Sequence, residues 1–273
     1  MNTKLRNKIA GAIYGFAIGD AMGATTEFMT AEQIRDEHGQ VTDIIGGGWL
    51  NLEPGEVTDD TQMAICVMSA IMSSPENSDM FIKHCEKNFV LWLASKPKDV
   101  GGQCAKAIRL LTIGMRISCD YNALGNGSLM RAMPLAVLNL PHYNVLQGLL
   151  THNNPRCSSF ILEYSRLIQE YLKGNYNNKY TNKVKELQRP SGYIVNTFNN
   201  SVYWSCKNSF EEAIIGAVNH GGDADTIAAI TGSLAGAKFG YDAIPERWIN
   251  QLNSDVKETL EMFQHFVFDY LQI

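Results

Sequence analysis

The sequence predicts an all-α protein, and three observations carry that prediction. No part of the chain shows several successive runs of alternating apolar and polar residues, the pattern that half-buried strands require. Glycine recurs at positions 11, 15, 19 and 23, which places all four on roughly one face of a helix. A second apolar run is rich in small residues: Ala228, Ala229, Gly232, Ser233, Ala235, Gly236 and Ala237. A helix with so few large side chains packs its backbone close to its neighbours. A mixed α/β fold is the alternative.

The elements follow in chain order. Residues 8–23 read as a small-faced buried helix, followed by ATTEF, which carries Glu27. Residues 30–38 suit a short polar helix. A glycine-rich loop, Gly46 to Gly48, leads through Pro54 and Gly55 to Thr58-Asp59-Asp60-Thr61. Helix then runs to about Ser73, with Met63, Val67 and Ala70 on one face. Ser78 or Asp79 is the expected cap of the next helix, to about Ala94. SKPKDVGG is a turn, Gln103 to Gly114 is helical, and the loop DYNALGNGS (120–128) feeds the stretch from Leu129 to Asn139. Pro134 there is a kink or an early-turn position. The sequence THNNP at 151–155 reads as a helix stop or turn, and Ser158 to Lys173 as a helix. Residues 174–192, polar and rich in Asn and Lys, are the expected mobile surface excursion. Tyr193 to Lys207 and Phe210 to Val218 precede NHGGDADT (219–226), and residues 245–271 read as two short amphipathic helices. No linker or repeat is evident, so residues 1–273 are expected to form one domain.

Composition narrows the function classes. The chain is 45% hydrophobic and 19% charged, the balance of a globular protein. Its formal charge of −5, without any basic run, gives no reason to expect nucleic acid. The six cysteines are scattered with no CxxC pair, which reads as reduced thiols in a cytoplasmic protein and argues against structural zinc. Lys4, Arg6 and Lys8 before IAGAIYGFAIG imitate a secretory leader. Asp20, however, ends the apolar run too early for a membrane span, and the glycine spacing suits a helix crossing better.

The chemistry concentrates at two acidic helix starts, TDDT at 58–61 and GGDADT at 221–226. Acidic and hydroxyl groups cap helix N-termini in many proteins, so each cluster alone is explained as a solvent-exposed cap. Two of them, each joined to glycine-rich backbone and an apolar helix, suggest more. Neither motif itself contains His or Cys, and hard oxygen donors suit Mg²⁺, Mn²⁺ or Ca²⁺. If the two starts converge, four aspartates must take up protons or bind cations, and two divalent ions balance them.

These segments, in this order, resemble the ADP-ribosylglycohydrolase family over nearly the whole chain. The matching parts are GAIYGFAIGDAMGATTEF (11–28), GEVTDDTQMAICV (55–67), KDVGG (98–102), GNGSLMRAMPLA (125–136), TH (151–152) and GGDADTIAAITGSLAGAKFGYDAIPERW (221–248). The resemblance implies an orthogonal multi-helix bundle with two Mg²⁺ or Mn²⁺ ions in a central cleft. Thr58, Asp59, Asp60, Asp223, Asp225 and Thr226 match the metal ligands. Glu27 matches a glutamate beside the metals, able to orient or activate water, and Asp99 matches a turn residue near the substrate-distal ribose; with Asp60 they form the expected catalytic set. Gly125, Asn126, Gly127 and Ser128 match the loop along the diphosphate, and His152 a histidine near the adenosine ribose. Arg131 and Arg116 are candidates to balance the diphosphate, Arg131 equally a structural one.

The implied reaction is hydrolysis of the bond between ADP-ribose and a modified side chain, with arginine the commonest leaving group in the bacterial branch. A correctly placed general base contributes roughly 10²–10⁴-fold to such a step. The expected partner is an ADP-ribosylated protein or a small ADP-ribose adduct, met by a monomer away from any membrane. Two other classes stand beside this one: a non-catalytic ADP-ribose-binding or toxin-immunity protein of the same fold, and a two-metal phosphoesterase. The chain departs from the family pattern at Val57, where Trp is frequent, and at Thr25-Thr26, where Pro is frequent.

Overall fold

The computed structural model describes residues 2–177 and 179–273. They form α1 (Asn2–Gly23), α2 (Ala31–His38), α3 (Asp59–Ser73), α4 (Ser78–Ala94), α5 (Gly102–Leu111), α6 (Met133–Val137) and α7 (Pro141–Leu149). There follow α8 (Pro155–Lys173), α9 (Ile194–Ser205), α10 (Phe210–Val218), α11 (Ala224–Phe239), α12 (Glu246–Gln251) and α13 (Ser254–Tyr270). Among the described residues β pairing is limited to isolated bridges such as Gly125 with Tyr193. The fold is all-α.

Helices α1 and α11 form its centre. The first is buried without a break from Lys8 to Gly23, the second from Ala224 to Ala237. A helix buried all round belongs inside a bundle rather than on its surface. Their contact follows the small residues: a Cβ on Gly15 would overlap the Gly232 carbonyl, and one on Gly19 the Ala228 carbonyl. The two backbones therefore touch. This crossing sets Asp20, and Glu27 just beyond the helix end, against the start of α11.

The surrounding helices hold α11 through buried hydroxyls as well as apolar contacts. Tyr164 of α8 meets Ser233 at 2.7 Å, and Ser201 of α9 donates to the Ile227 carbonyl at 3.0 Å. Lys8, nearly fully buried, donates to the carbonyls of Tyr171 and Leu172 at 2.7 and 3.2 Å. A cation there satisfies carbonyls left free at the C-terminal end of α8.

Several local readings are corrected. Asn77, not Ser78 or Asp79, caps α4 by accepting from the Met80 N–H. Of the two alternatives for Pro134, the early-turn position holds and the kink does not: it occupies the first turn of α6, where its missing N–H has no intrahelical partner. THNNP both ends one segment and starts α8, with Asn154 as cap and Pro155 at the first position. The tail holds one short helix and one of 17 residues. Segment 174–192, of which residue 178 lies outside the described residues, contains no helix. It is tied down where the Tyr180 ring meets Phe198, and again where the Gly192 carbonyl accepts from the Asn126 N–H. The six cysteines are free. No helix among the described residues is long and apolar enough to cross a membrane.

Candidate metal centre and substrate cleft

The two acidic helix starts meet. Thr226 Oγ1, in the first turn of α11, donates to Asp60 Oδ2, in the first turn of α3, at 3.1 Å. Around this contact lie three carboxylate triples, Asp20–Asp60–Asp225, Glu27–Asp223–Asp225 and Asp59–Asp99–Asp225. Within each, one oxygen per residue lies within 4.8 Å of the others. Asp225 belongs to all three. Asp60 Oδ1 and Asp225 Oδ1 are buried with no hydrogen-bond partner. Buried acceptors are normally paired, so two orphaned carboxylate oxygens at one point call for a cation.

Asp20 escaped the sequence reading, which took it only as the end of an apolar run. It is fully buried within α1 and holds the TDDT turn from below. Its Oδ1 accepts from Thr58 Oγ1 at 2.7 Å and from the Thr58 N–H at 3.1 Å; its Oδ2 accepts from the Thr61 N–H at 3.0 Å. Thr58 in turn accepts from the Asp60 N–H at 3.3 Å.

Burial dominates the electrostatics. It pushes the Glu27 carboxyl up to about 8; the Trp49 indole N–H, 2.6 Å from Oε2, pulls the other way, and the charges of Asp99, Asp223 and Asp59 raise it further. Burial raises Asp223 to about 6. Asp59, Asp60 and Asp225 are raised well above the ordinary range, by burial first and then by neighbouring carboxylates. Among the described residues no lysine or arginine lines the cleft. Arg131 is fully buried beneath it, bonded to Gln147, Thr151 and the Gly127 carbonyl and stacked over Phe89. Arg116 pairs with Glu86 at the surface. Neither therefore balances a diphosphate in the cleft. What fits this oxygen-only, negatively charged donor set is one or more hard divalent cations.

From the acidic floor a cleft of about 290 Å³ extends between two ends. Glu27, Phe28 and Asp99 line one end; Gly125, Asn126, Gly127 and His152 line the other. Asn126 ties the ends together, donating to Asp223 Oδ2 at 2.6 Å and to Thr197 Oγ1 at 3.0 Å. Gly127 is small of necessity, because a Cβ there would stand 2.8 Å from both the Cys104 sulfur and the His152 ring. Burial, aided by the Arg131 charge, lowers His152 to about 3, so the ring is neutral. Thr151 Oγ1 accepts from Arg131 at 2.7 Å and lies 2.9 Å from His152 Nδ1. With the Thr151 proton directed to Nδ1, the Nε2–H faces Gly125 and Gly127. Ser128 does not share that face; it is fully buried and points towards Gly148. Thr58 and Asp60 form the floor beneath Asp59 rather than its wall.

A family model described as ADP-ribosylglycohydrolase matches residues 1–269. The chain belongs to the ADP-ribosylglycohydrolase family. It is 33% identical over 278 residues to the ADP-ribosyl-[dinitrogen reductase] glycohydrolase of Rhodospirillum rubrum, covering 94% of each chain. It is 27% identical to the ADP-ribosylarginine hydrolase Tri1 of Serratia proteamaculans, covering 90% of this chain and 75% of that one. Among solved structures, an "ADP-ribosylglycohydrolase-related protein complex" superposes with a TM-score of 0.84 at 26% identity, covering 98% of this chain and 99% of that one. The protein is thus a glycohydrolase.

Within this family member the two departures noted above have structural roles. Thr25 Oγ1 donates to the Gly46 carbonyl at 2.9 Å, and Thr26 Oγ1 to the Val218 carbonyl at 2.7 Å. The threonines thus fasten the Glu27 turn to the glycine loop on one side and to the end of α10 on the other. Val57 is buried, and its carbonyl accepts from Gln62, which in turn accepts from the Trp92 indole.

Proposed function

We propose that this glycohydrolase removes ADP-ribose from a modified side chain, with ADP-ribosyl-arginine as substrate and two divalent ions, Mg²⁺ or Mn²⁺, in the cleft. The observation that carries the reading is the convergence of seven carboxylates and Thr226 around the orphaned oxygens of Asp60 and Asp225. Thr58, Asp59, Asp60, Asp223, Asp225 and Thr226 would hold the ions, with Asp20 fixing the Thr58 turn behind them. When bound, such ions supply Lewis acidity and lower the pKa of water toward neutrality. The arginine linkage draws support from the relatives named for it and from the acidic end of the cleft, where a guanidinium leaving group finds Asp99 and Glu27.

The chain's own residues divide the remaining work. Glu27, a member of the Glu27–Asp223–Asp225 triple, accepts a proton from the attacking water once cations offset its neighbours. Asp99 takes the leaving guanidinium through paired hydrogen bonds, a geometry suited to arginine. The glycine backbone at 125–127 and the neutral His152 Nε2–H receive the diphosphate end, as small residues and N–H donors do in phosphate cradles. ADP-ribosyl-arginine incubated with Mn²⁺ gives intact ADP-ribose and arginine by mass spectrometry, and EDTA abolishes both. A product with a cleaved pyrophosphate overturns the reading in favour of a phosphoesterase. Binding of ADP-ribose without turnover overturns it in favour of a non-catalytic binder.

A further inference from the structure

Phe28 and Trp49 form an exposed aromatic pair at the acidic end of the cleft. Phe28 is 66% exposed, Trp49 is 51% exposed, and their ring centroids lie 5.4 Å apart. Both are held deliberately in place. Phe28 has φ of 63°, a left-handed conformation uncommon for a non-glycine residue, and its N–H donates to the Gly222 carbonyl at 2.6 Å. Trp49 follows three glycines of positive φ whose loop is closed by the Gly47 and Leu52 backbones at 2.7 and 2.9 Å. Its indole N–H donates to Glu27 Oε2 at 2.6 Å, which binds the aromatic pair to the cleft carboxylate. Backbone strain that turns a large apolar ring into solvent beside a reactive carboxylate points to a use there.

We infer that the Phe28–Trp49 pair is a specificity determinant that receives the planar guanidinium of the leaving group. This rests on the arginine reading above. Aromatic faces beside carboxylates recognise a delocalised planar cation, which stacks on the ring while its N–H groups reach the acids. A neutral hydroxyl leaving group gains little from either. Trp49 has a second duty, since its N–H fixes one oxygen of Glu27 and leaves Oε1 for the reaction.

The test compares KM for ADP-ribosyl-arginine with Kd for free ADP-ribose, a ligand without the guanidinium, in the Mn²⁺-loaded enzyme. In Phe28→Ala and Trp49→Ala the ratio of KM to Kd rises about 3- to 30-fold, the range of a lost cation–π contact. Trp49→Phe keeps the ring and loses the N–H, so its kcat falls while the ratio stays near that of the natural enzyme. Phe28→Leu, which keeps bulk without a π face, behaves as Phe28→Ala does and serves if the latter fails to fold. An unchanged ratio in the alanine variants overturns the inference. So does a loss seen only with an ADP-ribosylated protein and not with ADP-ribosyl-arginine, because the pair would then dock the protein surface. An unmodified enzyme that does not hydrolyse ADP-ribosyl-arginine overturns the arginine reading itself, a different result from either.

Discussion

Thr226 and Asp60, 166 residues apart in the chain, share a hydrogen bond of 3.1 Å on the floor of the cleft. That contact makes one site of two helix starts that would each pass as an ordinary cap. The same oxygen of Asp60 lies 3.3 Å from the Thr58 hydroxyl, whose proton goes to Asp20, whereas Asp60 Oδ1 is left without a partner. A half-satisfied buried network is costly unless a further group completes it.

Asp225→Asn separates the metal role from a structural one. An amide at this position donates to the surrounding carboxylates and relieves their repulsion, so the protein in EDTA gains thermal stability. Activity falls by about 10² or more, the scale on which removal of one preorganised electrostatic group acts. Melting curves in EDTA together with kcat/KM in Mn²⁺ check the pair of effects. A variant destabilised in EDTA contradicts them.

The pH dependence of metal stabilisation follows from Glu27 and Asp223. Burial raises Glu27 from 4.5 to about 8 and Asp223 from 3.8 to about 6 in the metal-free fold. A raised folded-state pKa favours folding fully below the unfolded value and loses that contribution as pH rises through the folded one. The metal-free protein therefore loses stability between about pH 4 and 8 through these groups. Cations bind the deprotonated forms, so the gap in Tm between Mn²⁺-loaded and EDTA-treated protein widens from pH 5 to pH 8. His152 works in the opposite sense below 6.5 but is common to both samples and cancels. A gap that is constant across this range contradicts the prediction.

Asp20→Ala leaves the Thr58 N–H, the Thr58 hydroxyl and the Thr61 N–H without their acceptor. Unsatisfied buried donors cost about 1–3 kcal/mol each where the site cannot relax, so a loss near 3 kcal/mol is expected by denaturant titration. Mn²⁺ affinity weakens by about 10- to 100-fold, the usual effect of removing a group that orients metal ligands.

Gly19→Ala tests the crossing that delivers Asp20 and Glu27. The added methyl has no space against the Ala228 carbonyl, and backbone on both sides prevents an easy shift. The expected loss is about 3 kcal/mol, at the upper end of overpacking effects, measured as a lower denaturation midpoint.

The architecture was legible because its central contact is written in small residues. Glycine at 11, 15, 19 and 23, and the Ala/Gly/Ser run after Thr226, announced two backbones meeting. The acidic triples were legible in part, since Asp59, Asp60, Asp223 and Asp225 stand in short motifs, and the cleft also brings in Glu27 and Asp99. Asp20 was not, because its partners are backbone N–H groups 38 to 41 residues away, which no local pattern encodes. Trp49 was not, because its value depends on where a glycine loop folds back over Glu27. Arg131 misled for the same reason, as only the fold shows a guanidinium wholly enclosed by neutral acceptors.

The most direct test of the central claim is to count Mn²⁺ ions per chain by equilibrium dialysis, with electron paramagnetic resonance on the same samples. The account predicts two ions in the natural protein, with a spin-coupled signal that collapses in Asp225→Asn. A chain that binds no ion tightly, or a single ion whose uncoupled signal survives that substitution, would contradict it.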